Sequence, residues 1–279
     1  MTILRTLTVA SALFLGIAGA ASAGSVTLYS SLDNTLVQVQ PGSTQLSNGQ
    51  GDIFVGRTNQ DGQGPATIST RRGVIAFDVA GAIAAGSIIT DVTLTMWDVR
   101  GLNGSVQIDL HRVLASWGEG SSFFNGGVGG PAADGDATWL SRFYNAADPA
   151  SSPAWSTPGG DFDSTVSGSA IVTEHASDVE KAFSWLGSSN SQMIADVQKW
   201  LDDPTSNFGW LLQGDESKGQ TAKRFRSGEA DLAFRPTLTI TYESAAVAVP
   251  EPGSLVMAVT GGAVLSAFAA RRRRAGDAA

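Results

Sequence analysis

The sequence predicts an all-β protein, a jelly-roll-like β-sandwich with one short helix, between an N-terminal signal peptide and a C-terminal transmembrane helix. Two observations predict the sandwich. Apolar residues recur at every second position in four segments, and Gly-, Asn- and Asp-rich turns separate these segments. The four segments are residues 74–79, 92–97, 106–111 and 237–242. We expect the sandwich to occupy residues 24–243 as one domain, a size that suits a single core.

The first 23 residues have the three-part layout of a secretory signal peptide. Arg5 supplies a positive charge, residues 7–21 form an apolar run, and Ala21 and Ala23 provide a small-x-small cleavage site. An uncleaved membrane anchor is the alternative, but the run is short for a span, which needs about 20 apolar residues. We therefore expect an exported protein whose mature chain begins near Gly24.

Five further segments are weaker strand candidates because their apolar runs are short, namely residues 26–30, 35–39, 53–57, 170–173 and 210–212. Each of the four stronger strands is expected to have one apolar and one polar face. The apolar faces predict a core that contains Ile75, Phe77, Leu94, Ile108, Leu238 and Ile240. The chain has no cysteine, so this core must stabilise the fold without disulfides.

Residues 117–164 interrupt the strand pattern. The segment is rich in Gly, Ser, Pro and Asp, yet it contains many aromatic residues, in which disordered segments are depleted. We interpret it as a long excursion that packs on the sandwich, with Trp139 and Trp155 in the core.

One helix is predicted between Ser189 and Pro204. Ser189 and Gln192 have the spacing of a capping box, and Pro204 forces the preceding residue out of the helical region. One face of the helix is apolar at helical spacing and consists of Met193, Ile194, Val197, Trp200 and Leu201. We expect this face to pack against one end of the sandwich.

The C-terminal end has three parts in a fixed order. A linker at residues 244–252 contains Pro250, Glu251 and Pro252, and an apolar segment covers residues 253–270. As a helix this segment reaches about 27 Å, enough for a thin bilayer. A basic tail at residues 271–279 follows, and it stays cytoplasmic by the positive-inside rule because it begins with Arg271, Arg272, Arg273 and Arg274.

The exported region is strongly acidic. Residues 24–249 carry 13 Lys and Arg against 24 Asp and Glu, a formal charge of −11. Such a surface disfavours nucleic acid and anionic lipid headgroups. It suits neutral glycans, cationic surfaces or divalent cations, and solubility alone also explains it.

The residues do not form a catalytic motif, and we predict that the protein is not an enzyme. There is no G-x-S-x-G elbow and no phosphate-binding glycine loop. The two histidines lack a metal-ligand set, and His111 is expected on a solvated strand face beside Asp109, with His175 in a polar turn. Neighbouring carboxylates such as Asp161 and Asp163 leave a polysaccharide lyase or hydrolase as a less favoured alternative.

No cofactor is predicted, although oxygen-rich turns make calcium a candidate ligand. The candidate metal ligands are Asp61, Asp161 and Asp163. None of their turns matches the twelve-residue calcium loop of an EF-hand, and ordinary Asx turns are the alternative.

Sugar binding requires a flat aromatic ring with polar groups around it. Trp97 projects from the polar face of its strand, and Phe123 and Phe124 lie in the excursion. These three residues are the candidate ligand-binding residues because the sequence favours their exposure over burial.

The C-terminal pattern of Pro250-Glu251-Pro252, apolar segment and arginine cluster resembles the PEP-CTERM sorting signal of Gram-negative bacteria. The resemblance implies a transient partner, an exosortase, which processes the tail. It also implies that the apolar helix contacts the membrane before processing, and that the protein ends in the cell envelope, on the cell surface or outside the cell.

Residues 24–243 resemble the DNRLRE domain, which is similar to a jelly-roll family of carbohydrate-binding modules. The matching pieces occur in order and include Asp33-Asn34-Thr35, Asn48-Gly49, Trp117-Gly118-Glu119, Ala137-Thr138-Trp139, Asn207-Phe208-Gly209-Trp210, Arg226-Ser227-Gly228-Glu229 and Arg235-Pro236-Thr237-Leu238. The resemblance implies a non-catalytic surface or matrix protein that binds an exopolysaccharide. A purely structural matrix protein without a small ligand is the alternative.

Overall fold

The computed structural model describes residues 22–59, 69–100, 104–176 and 179–245, and antiparallel strands dominate it. These residues form thirteen strands: β1 (Ala23–Tyr29), β2 (Leu32–Val37), β3 (Leu46–Ser47), β4 (Ile53–Arg57), β5 (Thr70–Ala76), β6 (Ile88–Asp98), β7 (Val106–Val113), β8 (Gly130–Pro131), β9 (Phe162–Val172), β10 (Lys181–Leu186), β11 (Trp210–Gln213), β12 (Lys223–Phe225) and β13 (Thr237–Glu243). Helix α1 (Ser191–Asp202) lies between β10 and β11. Short 3-10 helices occur at Pro149–Ser151, Gly187–Ser189, Pro204–Ser206 and Leu232–Phe234.

Ser22–Ala245 forms one compact unit. Ala21, residues 250–252, the apolar segment 253–270, the arginines at 271–274 and Asp61 lie outside the described residues. Within the described ranges, no helix is both long and apolar enough to cross a membrane.

The strands form an open antiparallel sheet with the order β1-β13-β6-β12-β4-β5-β11-β7-β9. Strand β10 pairs with β6, β2 pairs with β5 and β3, and β8 pairs with β3. Strand β4 joins two groups of strands, because Ile53, Phe54 and Val55 pair with β12 while Gly56 and Arg57 pair with β5. The predicted all-β class is confirmed, and the arrangement is consistent with a sandwich.

All nine strand segments predicted from the sequence overlap a strand, but four strands were missed. Strands β3, β8 and β12 have only two or three residues, too few to show an alternation. Strand β10 is longer, and Trp185 on it is fully buried with its indole N–H donating to Ile108 O (2.9 Å). Its alternation of Phe183 and Trp185 with Ala182 and Ser184 was the signal that could have revealed it.

The main core lies between the two groups of strands. The six residues predicted for it are at most 1% exposed, so this prediction is confirmed: Ile75, Phe77, Leu94, Ile108, Leu238 and Ile240. Strand pairing explains the register, because Leu238 lies opposite Leu94 and Ile240 opposite Val92 in the β13–β6 pair.

A second apolar cluster lies under the excursion. Trp139 and Trp155 are buried there, as predicted, and they pack with Leu36, Val74, Ala76, Val113, Trp117, Ala137 and Leu211. Strand β5 therefore has no solvated face, because Val74 and Ala76 are buried on one side and Ile75 is buried on the other. The prediction of one solvated face was wrong for β5 because the excursion covers that face.

Helix α1 extends from Ser191 to Asp202 and buries the predicted apolar face against β6 and β9. Trp200 packs on Trp210 with ring centroids 4.6 Å apart. The predicted capping box was wrong, because Asn190 is the N-cap and caps no backbone N–H with its side chain. Gln192 instead donates a hydrogen bond to Asp196 (3.1 Å), one turn along the helix.

Candidate functional site

Phe123 and Phe124 form an exposed aromatic pair on the excursion. Their side chains are 64% and 42% exposed, which confirms the exposure expected from the sequence. The backbone beneath them is fixed, because the Phe124 N–H donates to Asn48 Oδ1 (2.7 Å) and the Gln50 N–H donates to Ser122 O (2.8 Å). The loop between β3 and β4 therefore holds the backbone that carries both rings.

A cleft of about 310 Å³ opens beside the two rings. Apart from the rings, the side chains that line it are mainly polar, and they come from the loop before β4, from the excursion, and from the chain in and after β12. They include Gln50, Asp52, Asn125, Arg224, Arg226, Ser227 and Glu229. We call this feature the Phe123–Phe124 cleft.

Both arginines of the cleft are paired with carboxylates. Asp52 Oδ2 lies 2.5 Å from Arg224 Nε and 3.4 Å from Arg226 Nη1, and Arg226 also contacts Glu180 Oε1 at 2.8 Å. The hydrogen bond from Arg226 lowers the pKa of the Glu180 carboxyl. Two guanidinium groups thus balance two carboxylates, and the pairing holds the arginine side chains in defined positions.

A second depression of about 390 Å³ continues from the cleft, because Asn125 and Arg224 line both. Arg224 donates to Asn125 Oδ1 (2.9 Å), and its guanidinium lies 5.6 Å from the centre of the Phe54 ring. The two depressions are therefore neighbours, with the Arg224–Asn125 pair common to both linings.

A larger cleft, of about 490 Å³, lies between β7 and the loop after β11. Its described lining includes Gln107, Asp109, Asp215 and Lys218 but no aromatic side chain. It therefore lacks the flat ring on which a sugar could stack.

An acidic cluster borders the Phe123–Phe124 cleft and consists of Asp33, Glu119 and Glu229. One carboxylate oxygen from each residue lies within 4.8 Å of the other two. Asp33 is fully buried, Glu119 is half-buried, and Glu229 is exposed and also lines the cleft. The sequence does not reveal this cluster, because its members lie far apart in the chain and no spacing rule connects them.

Asp33 is the most deeply buried member of the acidic cluster. Its Oδ2 accepts a hydrogen bond from the Gly228 N–H (2.8 Å), but its Oδ1 has no hydrogen-bond partner. Burial raises the pKa of the Asp33 carboxyl well above its usual value, and the negative charge of Glu229 raises it further. Burial also raises the pKa of Glu119, which accepts a hydrogen bond from the Asp33 N–H (2.9 Å).

Asn34 positions the excursion beside Asp33. Its side-chain amide donates to Glu119 O (2.7 Å), and its carbonyl oxygen accepts from Ser47 Oγ (2.8 Å) and from the Asn48 N–H (3.1 Å). Gly49 permits the same approach, because a Cβ there would collide with the Glu119 carbonyl oxygen.

The predicted metal ligands Asp161 and Asp163 are engaged elsewhere. Asp161 accepts hydrogen bonds from the Ser156 and Thr157 N–H groups, at 2.9 and 3.0 Å. Asp163 accepts one from the Thr165 N–H and pairs with Arg112 at 2.9 Å. In the part of the chain that the structure describes, the one group of three possible metal ligands is the acidic cluster.

Trp97 is half-buried and does not line the Phe123–Phe124 cleft. Its ring packs edge-on against Phe234, with centroids 5.3 Å apart. Its backbone lies nearer the cleft, because Trp97 O accepts a hydrogen bond from the Arg226 N–H (2.9 Å). The structure thus brings together Phe123 and Phe124, and leaves the Trp97 ring outside the cleft.

The two histidines occupy buried positions. His111 was expected on a solvated face, but it is 6% exposed because Phe162 and β9 cover it, and its Nδ1 lies 2.9 Å from Asp163 O. His175 Nε2 contacts Asp98 Oδ2 at 3.0 Å. Among the described contacts, neither imidazole is hydrogen-bonded to a serine or threonine hydroxyl, the pairing that a hydrolytic triad requires.

No protein-family model matches this chain, and a search of curated proteins finds no match.

Proposed function

We propose that this chain is an exported, non-catalytic bacterial surface or matrix protein that binds polysaccharide at the Phe123–Phe124 cleft. The observation that carries the proposal is the pair of adjacent, exposed phenylalanine rings beside a polar cleft. Exposed aromatic residues that border a cleft favour an interaction site over a merely solvated surface.

The chemistry of the cleft suits a sugar chain. The C–H face of a pyranose ring can stack on Phe123 or Phe124, while its hydroxyl groups exchange hydrogen bonds with Asn125, Arg224 and Asp52. Because the arginines are already paired with carboxylates, the cleft has little net positive charge to attract an anionic polymer. A neutral polysaccharide is therefore the favoured ligand class.

The two neighbouring depressions favour a polymer over a single sugar, because one polymer chain can contact both. One stacked ring contributes on the order of 1 kcal/mol, by comparison with aromatic stacking on nucleic acid bases. Two rings offset little of the entropy cost of association, so we expect dissociation constants near the millimolar range for short oligosaccharides. Further contacts between one polymer chain and the second depression add to this affinity.

We also propose a jelly-roll topology, export through the inner membrane and processing of the C-terminal tail. A jelly-roll topology is supported by the antiparallel pairing and by the ordered resemblance to DNRLRE domains. Export is supported by the layout of residues 1–23, and processing by an exosortase is supported by Pro250-Glu251-Pro252 with the segments that follow. Together these features support the proposal that the polysaccharide-binding surface is delivered to the glycan-rich exterior of the cell.

A screen of immobilised neutral and acidic polysaccharides with the Ser22–Ala245 unit tests the proposal. The unit contains both apolar cores in full, so it is expected to fold by itself. We expect retention on at least one neutral polysaccharide, with competition by its oligosaccharides at millimolar concentration. If neither neutral nor acidic glycans bind at that concentration, a structural matrix role replaces the binding role.

A lyase or hydrolase remains the less favoured reading. Asp52 and Glu229 both line the cleft, and a glycosidase uses two carboxyl groups about 5 to 10 Å apart. Asp52, however, is held in ion pairs with two arginines, and Asp33 is buried beyond the reach of a sugar. The polysaccharide that is retained in the screen should therefore show no new reducing ends or unsaturated products after incubation.

A further inference from the structure

We propose that Asp33, Glu119 and Glu229 bind one divalent cation, and that this cation is calcium. The three carboxylates come from the start of β2, from the excursion and from the chain after β12. A cation bound to all three would join segments that are far apart in the sequence.

The spacing of the carboxylates fits this ion. One oxygen from each lies within 4.8 Å of the others. Calcium binds oxygen ligands at about 2.3–2.6 Å, so two ligands of the same ion are at most about 5 Å apart. The side chains thus already stand at the separation expected of ligands around a single calcium ion.

Charge provides a second argument. Three carboxylates at this separation repel one another, and the repulsion is strong because Asp33 is withdrawn from water. Among the ion pairs between described residues, none includes a member of the acidic cluster. A bound divalent cation would supply the missing positive charge.

An unpartnered buried oxygen provides independent support. Asp33 is 0% exposed, and its Oδ1 has no hydrogen-bond partner. Buried polar atoms are almost always paired, so this oxygen indicates an unfilled ligand role.

The ligand chemistry selects calcium. The cluster offers carboxylate oxygens, and it includes no histidine or cysteine, the ligands that favour zinc. Magnesium demands a near-ideal octahedron at about 2.0–2.1 Å and retains several waters, whereas calcium accepts irregular sets of oxygens. Because Glu229 is exposed, water can complete the calcium shell from the solvent side.

Calorimetry with the purified protein, first treated with EGTA and then titrated with calcium chloride, tests the proposal. We expect one calcium ion per chain, with magnesium chloride binding at least tenfold more weakly. In thermal unfolding, calcium at about 100 times its dissociation constant should raise Tm by roughly 5 to 10 °C. Absence of heat and of a Tm shift up to 10 mM calcium, or a preference for magnesium, would contradict the assignment.

Three charge-neutralising variants locate the site. Asp33→Asn should abolish the calcium response while keeping or raising Tm in EGTA, because it removes a desolvated charge. Glu229→Gln lies at the surface and should weaken calcium binding at least tenfold without unfolding the protein. Glu243→Gln, an exposed glutamate at the end of β13, removes the same charge elsewhere and should bind calcium normally.

The variants also separate this site from a calcium site elsewhere in the chain. If Asp33→Asn and Glu229→Gln both bind calcium as the unaltered protein does, the acidic cluster is not the site. If Asp33→Asn fails to fold, Glu229→Gln alone decides between the two results. None of these readouts depends on a glycan, so they stand apart from the proposed polysaccharide binding.

Discussion

At the residue scale, Asn34 shows how a buried polar side chain fixes the site. Its amide and carbonyl oxygen make hydrogen bonds to Glu119, Ala137, Ser47 and Asn48, and the side chain is fully buried. The sequence placed Asn34 in a family-like opening motif, but it could not reveal the burial. Burial of this residue depends on partners up to about a hundred positions away, and no local pattern encodes such contacts.

Replacing Asn34 by alanine should reduce the free energy of unfolding by at least about 3 kcal/mol. The substitution leaves several buried donors and acceptors unpaired, and each costs about 1–3 kcal/mol. Urea denaturation measures the change. Asn145→Ala is the matched control, because Asn145 bonds only within a surface turn, and it should cost less than about 1 kcal/mol. Equal losses in both variants would contradict a central role for Asn34.

At the element scale, β5 marks what sequence patterns can and cannot predict. Alternation correctly identified the strand, its core residue Ile75 and the core residue Phe77 just after it, because a half-buried strand imposes period two. It wrongly gave β5 a solvated face, because the covering excursion has no period of its own. The acidic cluster was not predicted either, because tertiary contacts between the excursion and the strands bring its members together. Strand β12 also carried no signal, because it has three residues and one of its two buried residues is a lysine, Lys223.

Phe77→Ala tests the packing of the chain that follows β5. Phe77 is 1% exposed in the main core, so its truncation should cost about 3–5 kcal/mol of unfolding free energy. Ile88→Ala, at a residue that is 57% exposed at the start of β6, should change stability by less than about 1 kcal/mol. Chemical denaturation of both variants measures the difference. A loss below about 1 kcal/mol for Phe77→Ala would show that this register is wrong.

At the scale of the whole molecule, two ends with targeting patterns flank one acidic β domain. The domain carries the Phe123–Phe124 cleft and the acidic cluster side by side, with Glu229 belonging to both. Composition alone predicted compatibility with neutral glycans and divalent cations, because the net charge of residues 24–249 is −11. It could not locate either ligand on the surface, since charge is summed over the chain while a site depends on geometry.

The proposed removal of both ends of the chain determines the mass expected for the mature protein. We expect intact mass spectrometry of protein recovered from the native cell surface to show a chain that lacks residues 1–23 and the arginines at 271–274. In the proposed export route, a signal peptidase removes the first segment, and exosortase processing near residues 250–252 removes the second. The same gene expressed in a host without exosortase should retain the arginines. A surface-exposed native protein with an intact C-terminus would rule out the sorting role.

The most direct test of the central claim is a calorimetric titration of the Phe123→Ala/Phe124→Ala double variant with the polysaccharide that the screen identifies. Loss of two stacking surfaces, each worth on the order of 1 kcal/mol, predicts at least tenfold weaker binding. Ile88→Ala, which removes an exposed apolar side chain from β6, should bind within about twofold of the unaltered protein. If the double variant binds the polysaccharide as tightly as the unaltered protein, the Phe123–Phe124 cleft is not the binding site.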